Sequence, residues 1–303
     1  MAIPIGKYRI STVVTSSVMG HSGGGMFPLI LLPSYRRLRR VIWDYGVTNF
    51  TKSSTRFKHI GNFIIHNPLT WKYIQKIGEN GLLNAYELTN DGVEVNAKKI
   101  YKACQAGYHA IPSFYPQFAI DQEFAIKGTI EAVSVYHRIM GNYFWAMELN
   151  YSCHNSKERI RENIIDALAC LKAVRLAFPH LCLIAKVSYV HPREFVQELV
   201  HSGADIIHAI NAIPYTMVFP KGNLSPLAKV GGGAVSGGPA FPNALAYNRE
   251  LRKKISKPMI LGCGITIVDD AARYADIGAD VISICTVAKT DPKEAKKIIE
   301  KFN

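Results

Sequence analysis

An α/β fold, read as a single-domain (β/α)8 barrel of the TIM-barrel type, is predicted by three features of the chain. Short apolar runs alternate with longer amphipathic ones from about residue 95 onward. The alternation recurs at roughly thirty residues per unit, the size of a strand with its crossover helix. About eight strands can be counted, enough to close a barrel. A doubly wound open sheet is the competing arrangement. No linker rich in Pro, Gly or Ser divides the 303 residues, so the chain reads as one domain, with residues 1–40 as an irregular amino-terminal extension.

The elements follow in order. "FPLILLP" (27–33) carries no charge and suggests a buried strand; it is far too short to span a bilayer. "PSYRRLRRVIWDYG" suits a short helix whose exposed side carries Arg36, Arg37, Arg39 and Arg40, a solvated face rather than a polyanion contact. "GVTNFTK" and "NGLLNAYEL" read as strands of the first third. Next come the strand in "YHAIPSFYP", a helix over 120–139, the strand "YFWAMELN" and the helical "SKERIRENIIDALACLKAVRLA". "LCLIAKVS" and "DIIHAINA" are strands flanking helix "HPREFVQELVHSGA". After a long Gly-rich loop, helix "PNALAYNRELRKKIS" leads to strand "PMILGCG", helix "TIVDDAARYADIGA", strand "DVISICT" and the terminal helix "DPKEAKKIIEKF". Apolar runs of four to eight residues between helical segments signal parallel strands covered by helices.

Composition narrows the function classes. Hydrophobic residues make up 48 % and charged residues 19 %, as in globular enzymes and unlike disordered chains. The formal charge of +13 could serve a nucleic acid, an acidic membrane surface or anionic small molecules, and its densest run, Arg36 to Arg40, reads as a solvated face. Cys104, Cys153, Cys170, Cys182, Cys263 and Cys285 form no zinc-ligand spacing, so no metal is expected. Cys170 and Cys182 fall in apolar segments and read as core residues. A reduced cytoplasmic protein fits this usage, and no signal-peptide pattern precedes it.

Barrel chemistry sits where strands end at their carboxyl side. The polar residues there are Lys52, Asn84, Ser113, Asn150 to Asn155, Lys186, Asn211, the 231–238 glycines, Gly262 to Gly264, and Cys285 with Thr286. Amides, lysines, a thiol and glycines predominate, and the paired carboxylates of a glycosidase are missing. Such a set suits a flat, hydrogen-bonding anion. "KVGGGAVSGGPAFPNALAY" (229–247), "LGCGI" and "SICT" bring three donor-rich segments to the last strands, where a phosphate is expected. Lys186 inside a buried strand requires a polar partner.

Taken in order, "TNFTKSST", "NAYELTN", "ELNYSCHN", "AKVS", "HAINAI", "GGAVSGGPAFPNAL", "ILGCGI" and "ISICT" resemble the class 1 dihydroorotate dehydrogenase family, a relative of the flavin domain of dihydropyrimidine dehydrogenase. The resemblance covers roughly residues 45–290. It implies an FMN-containing (β/α)8 barrel that oxidises dihydroorotate to orotate in pyrimidine biosynthesis. By position, Lys186 would hydrogen-bond the flavin, and Gly233, Gly237, Gly264, Cys285 and Thr286 would surround its phosphate. Lys52, Ser113, Asn150, Asn211, Ser236 and Gly262 complete the implied cofactor set. Lys52, Asn84, Asn150, Asn155 and Asn211 would surround the pyrimidine, with Cys153 as the general base and Lys52 stabilising negative charge. The family habit is a homodimer, and electrons would leave to fumarate, a quinone, or NAD through a partner subunit. Neither a membrane nor a nucleic acid is an expected partner.

Four positions depart from the family pattern. His154 stands where Pro is usual, Tyr86 and Glu87 where a small-residue turn is usual, and Ala212 where Ser or Thr is usual. The alternatives to the main reading are reduction of dihydrouracil, reduction of tRNA dihydrouridine, and a non-catalytic barrel that binds a phosphorylated ligand.

Overall fold

Parallel pairing runs unbroken around a closed ring of eight strands, taken in sequence order. They are β1 (Val13–Ser16), β2 (Thr48–Ser54), β3 (Ala110–Phe114), β4 (Ala146–Asn150), β5 (Cys182–Lys186), β6 (Ile206–Ala209), β7 (Met259–Gly262) and β8 (Val281–Ile284). β8 pairs back onto β1 through Ile284 and Thr15, which closes the barrel and excludes the open sheet. The structure is a computed structural model and describes residues 2–118, 121–152, 163–222 and 224–303. Cys153, His154 and Asn155 lie outside the described residues.

The covering helices obey simple local rules. α1 (Pro33–Asp44) has proline in its first turn and buries Tyr35, Leu38, Val41 and Ile42, a helical spacing that leaves Arg36, Arg37, Arg39 and Arg40 in solvent. α2 (Val93–Gln105) and α3 (Gln122–Met140) follow, the latter capped by Asp121, whose carboxylate accepts from the Phe124 amide at 2.7 Å. α4 (Ile164–Ala177), α5 (Arg193–His201), α6 (Phe241–Arg252), α7 (Val268–Asp276) and α8 (Pro292–Phe302) complete the ring, with Asp291 capping α8. The outward faces of the strands pack on these helices in one large core.

Three expectations require correction. Residues 1–40 are not an irregular extension: they form an antiparallel hairpin (Ile3–Ile5 with Tyr8–Ile10), supply β1 and begin α1. β1 is only four residues long and half of it is Thr15 and Ser16, so its apolar signal is weak. "FPLILLP" is no buried strand. Leu29–Leu31 is one 3-10 turn leading into α1, with Leu31 64 % exposed. Pro28 and Pro33 lack the N–H groups that a central strand needs. "NGLLNAYEL" does form a strand, Gly81–Asn84, but outside the barrel. It pairs antiparallel with Ile74–Lys76 and Ala234–Gly237, and Ala234–Gly237 pairs in turn with Ile213–Pro214. The Gly-rich segment is therefore partly a strand of this accessory sheet.

Inside the barrel, period-2 alternation sorts chemistry into layers. Val14, Phe50, Ile111, Ala146, Cys182, Ile184, Ile206, Ile260 and Val281 form a separate apolar plug with Ile3 and Ile10 of the hairpin. Two residues further along most of these strands, the same inward parity delivers Ser16, Ser113, Glu148, Lys186, His208 and Ser283. The lumen thus changes from hydrocarbon to hydrogen-bonding groups within one step of the pleat. Cys182 belongs to the plug and Cys170 is fully buried in the outer core, as expected for both.

Close packing explains one glycine. Gly264 has φ +87°, and a Cβ there would lie 2.4 Å from Phe241 Cα. Gly264→Ala is expected to destabilise the fold by roughly 2–5 kcal/mol, from left-handed backbone strain plus overpacking against α6. Urea unfolding followed by far-UV circular dichroism checks this, and a change below about 1 kcal/mol would contradict the packing argument.

Candidate functional site

A cavity of about 750 Å³ opens at the carboxyl ends of the strands, between the barrel and the accessory sheet. Of the residues singled out in the sequence, Lys52, Asn84, Lys186, Asn211, Ser236, Gly264, Cys285 and Thr286 line it. Ser113 and Asn150 are not among the lining residues; their side chains bond Glu148 and Ser53 respectively. Gly233, Gly237 and Gly262 are set back against backbone, where a Cβ would meet Asn84 O at 2.9 Å, Asn80 O at 2.1 Å and Ser283 O at 2.3 Å. Cys153 and Asn155 fall outside the described residues.

The lining is electrically one-sided. Lys52, Lys76, Lys186 and Lys289 contribute ammonium groups, and no Asp or Glu among the described residues lines the cavity. A volume with this lining attracts anions and repels cations. At one side Lys289 stands in the short helix Thr286–Thr290, next to Cys285. Burial pushes the Cys285 thiol up, but the Lys289 ammonium, the Ser17 hydroxyl 3.8 Å away and Lys186 outweigh it and bring the thiol below its usual value. At another side the Lys52 ammonium lies 3.2 Å from the centroid of the Tyr86 ring, which stacks on Phe63. His21 hydrogen-bonds the Lys52 carbonyl through Nε2 at 2.9 Å. Since a carbonyl only accepts, that nitrogen carries the proton.

Lys186 has the polar partners that its burial demands. Its Nζ donates to Ser16 Oγ at 2.8 Å and lies 3.7 Å from Glu148 Oε1, with Glu148 only 1 % exposed. Strand register makes this meeting possible: Lys186 pairs with Asn150 on one side and His208 on the other, while Glu148 pairs with Ser113. Ser113 Oγ donates to Glu148 Oε1 at 2.6 Å, and His208 Nδ1 contacts Glu148 Oε2 at 2.5 Å. Burial opposes ionisation of Glu148, yet Lys186, then His208 and the Ser113 hydroxyl, outweigh it and hold the carboxyl at about 2. Burial, aided by the Lys186 charge, lowers the His208 pKa and keeps the ring neutral. A neutral ring facing a carboxylate puts its single proton on Nδ1, so Nε2 accepts from Ser283 Oγ at 3.0 Å.

The same direction of donation continues on the far side. Asn150 Nδ2 donates to Ser53 Oγ at 2.7 Å, and Ser53 lies 2.9 Å from Ser113, whose own proton is already committed to Glu148. Ser53 therefore donates to Ser113. Asn150 Oδ1 also accepts from the Ser152 amide at 3.0 Å and hydroxyl at 2.6 Å, and Asn211 Nδ2 donates to the Ser152 carbonyl at 3.3 Å. The two asparagines thereby fix Ser152.

Sequence reasoning missed Glu148, His208, Ser16 and Lys289. Glu148 was hidden inside an apolar run, although it shares strand parity with Asn150. His208 was hidden in the same way in "DIIHAINA". The signal was their inward parity: Glu148 sits two positions before Asn150, the last inward residue of its strand, and His208 is the last inward residue of its own.

Protonation of this layer sets a pH dependence. Glu148 has a lowered carboxyl pKa, so its stabilisation is complete above about 4.5 and is lost as pH falls toward 2. His21, lowered to about 4 by burial and by Lys52, and His208 remain neutral while the unfolded chain takes up protons from about pH 6.5 downward. All three act with the same sign. The urea midpoint is expected to fall steadily between pH 7 and pH 4.5; a flat profile would contradict this assignment.

Comparison with known proteins agrees with this geometry. The family profile described as "Dihydroorotate dehydrogenase" matches residues 46–303. The chain is 25 % identical over 209 residues to the catalytic subunit of dihydroorotate dehydrogenase B (NAD(+)) of Thermotoga maritima, covering 63 % of this chain and 72 % of that one. It is 26 % identical over 239 residues to the corresponding subunit of Listeria monocytogenes serotype 4b, covering 74 % and 72 %. A crystal structure of DHODH from Eimeria tenella in complex with ferulenol matches with a TM-score of 0.70 at 14 % identity, over 99 % of this chain and 82 % of that one, a likeness of fold.

Proposed function

Because the chain belongs to the dihydroorotate dehydrogenase family, oxidoreductases that act on CH–CH bonds, we propose that its cavity holds FMN beside Lys186 and oxidises dihydroorotate to orotate. The observation that carries this reading is the lining itself: four lysines and no carboxylate among the described residues, around a buried lysine held in place from below. The donor set fits the cofactor. Lys289, Ser17 and the backbone of Gly264 and Thr286 would receive a phosphate, and Lys186 would meet the electron-poor ring edge.

FMN, when bound, supplies the acceptor for the hydride that leaves substrate C6. The protein's own part is to orient the ring and to remove the C5 proton, so that the C5–C6 double bond can form. Asn84 and Asn211 offer both a donor and an acceptor to the alternating edge of a pyrimidine. Lys52 offers positive charge to the substrate carboxylate. Cys153 is the proposed base, and the residue before it, Ser152, is anchored by hydrogen bonds to Asn150 and Asn211. The relatives named as catalytic subunits of NAD(+) enzymes support a separate electron-transfer subunit as the outlet for electrons.

A dihydropyrimidine without a carboxylate, such as dihydrouracil, is a second reading, favoured by the Lys52 contact with Tyr86, which a neutral substrate would leave intact. Among the described residues no helix is long and apolar enough to cross a membrane. The test is spectroscopic: the purified protein should be yellow and should bleach anaerobically with dihydroorotate. Bleaching only by dihydrouracil selects the second reading; a colourless protein that takes up no added FMN refutes both.

A further inference from the structure

We propose that Glu148 and His208 are positioning residues for Lys186, which together hold its ammonium group at the cavity floor where a flavin ring would meet it. This rests on the flavin reading of the cavity and adds to it a layer whose part is to hold Lys186 in place, Glu148 lying behind the cavity lining and His208 forming part of it.

A lysine side chain is a flexible four-carbon stem, and holding its end at one point requires anchors. Lys186 has two, Ser16 at 2.8 Å and Glu148 at 3.7 Å. Glu148 is useful as an anchor only if it cannot swing. Each of its oxygens is tied separately, Oε1 by Ser113 at 2.6 Å and Oε2 by His208 at 2.5 Å. His208 is fixed in turn by Ser283 on Nε2 and by the Phe50 ring, 5.0 Å away between centroids. All the protons of the layer run toward the carboxylate: Asn150 to Ser53 to Ser113 on one side, Ser283 and His208 on the other. The carboxylate is therefore the fixed negative point of the barrel's upper layer, and Lys186 the one charged group in the layer that reaches from it into the cavity.

Without His208, Oε2 has no neutral donor and only Lys186 to turn to. The carboxylate then rotates toward the ammonium and draws it down out of the cavity. A role limited to filling space in the barrel would leave Lys186 where it is.

The experiment measures FMN affinity of the flavin-free protein by fluorescence titration, and the midpoint potential of the bound flavin. His208→Ala is expected to weaken FMN binding by about fivefold, the worth of one hydrogen bond. A preference for reduced over oxidised flavin that falls tenfold reads as a potential lower by about 30 mV. His208→Asn, whose amide N–H can replace Nδ1–H, should return both values to near wild type. The proposal is overturned if His208→Ala folds and keeps wild-type affinity and potential, or if Ala and Asn are equally impaired. Should His208→Ala fail to fold, Glu148→Gln decides: lowered affinity and potential support the proposal, and wild-type values overturn it. Wild-type protein that binds no FMN sinks the flavin reading and this inference with it, whereas wild-type protein that binds FMN beside unaffected variants sinks this inference alone.

Discussion

Lys186→Met is expected to yield a colourless protein whose unfolding free energy is lower by roughly 3–5 kcal/mol. Methionine preserves much of the length and apolar stem but removes the cation. Glu148, 1 % exposed, is then left as a buried charge with only the neutral donors Ser113 and His208. The cost is that of an orphaned charge rather than the net worth of the pair. The double variant Lys186→Met with Glu148→Gln separates the two effects. It should recover most of the stability, because no uncompensated charge remains, while staying colourless because the cavity still lacks its floor cation. Urea unfolding and an absorbance spectrum of each variant check both halves. A yellow, fully stable Lys186→Met protein would remove Lys186 from the site.

Cys153→Ser should behave in the opposite way, keeping flavin and stability while slowing the chemical step. Proton transfer by a positioned side chain contributes roughly 10²–10⁴-fold, and near neutral pH a serine hydroxyl supplies almost no ionised base whereas a cysteine supplies some thiolate. Stopped-flow mixing with dihydroorotate under anaerobic conditions reads the rate of flavin bleaching directly. A rate within about twofold of wild type would exclude Cys153 as the base. The pairing of this variant with Lys186→Met is informative because one should lose colour and the other only speed.

Much of the architecture is legible in the chain itself. Seven of the eight barrel strands were legible because each joins a run of apolar residues to a polar end, a pattern that survives without knowledge of neighbours. β1 was not, since Val13–Ser16 is too short and too polar to stand out, and "NGLLNAYEL" took its place because an accessory strand obeys the same local preferences as a barrel strand. Lys186 announced a site through a single physical rule, that a lysine in a strand must find a partner. Its partner did not announce itself: Glu148 reads locally as one polar residue in "WAMELN", and nothing within that strand says that it faces a lysine thirty-eight residues away.

The sequence by itself determined the barrel, the family, and the kinds of groups at the strand ends, because periodicity and residue type are properties of the chain taken locally. Only the tertiary structure decided which of those groups cooperate. Ser16 meets Lys186 across 170 residues because the barrel closes, and Glu148 meets His208 across 60 because β5 lies between their strands in register. Hydrogen bonds act over about 3 Å, so their membership depends on shear and closure of the whole ring, and no local pattern encodes those.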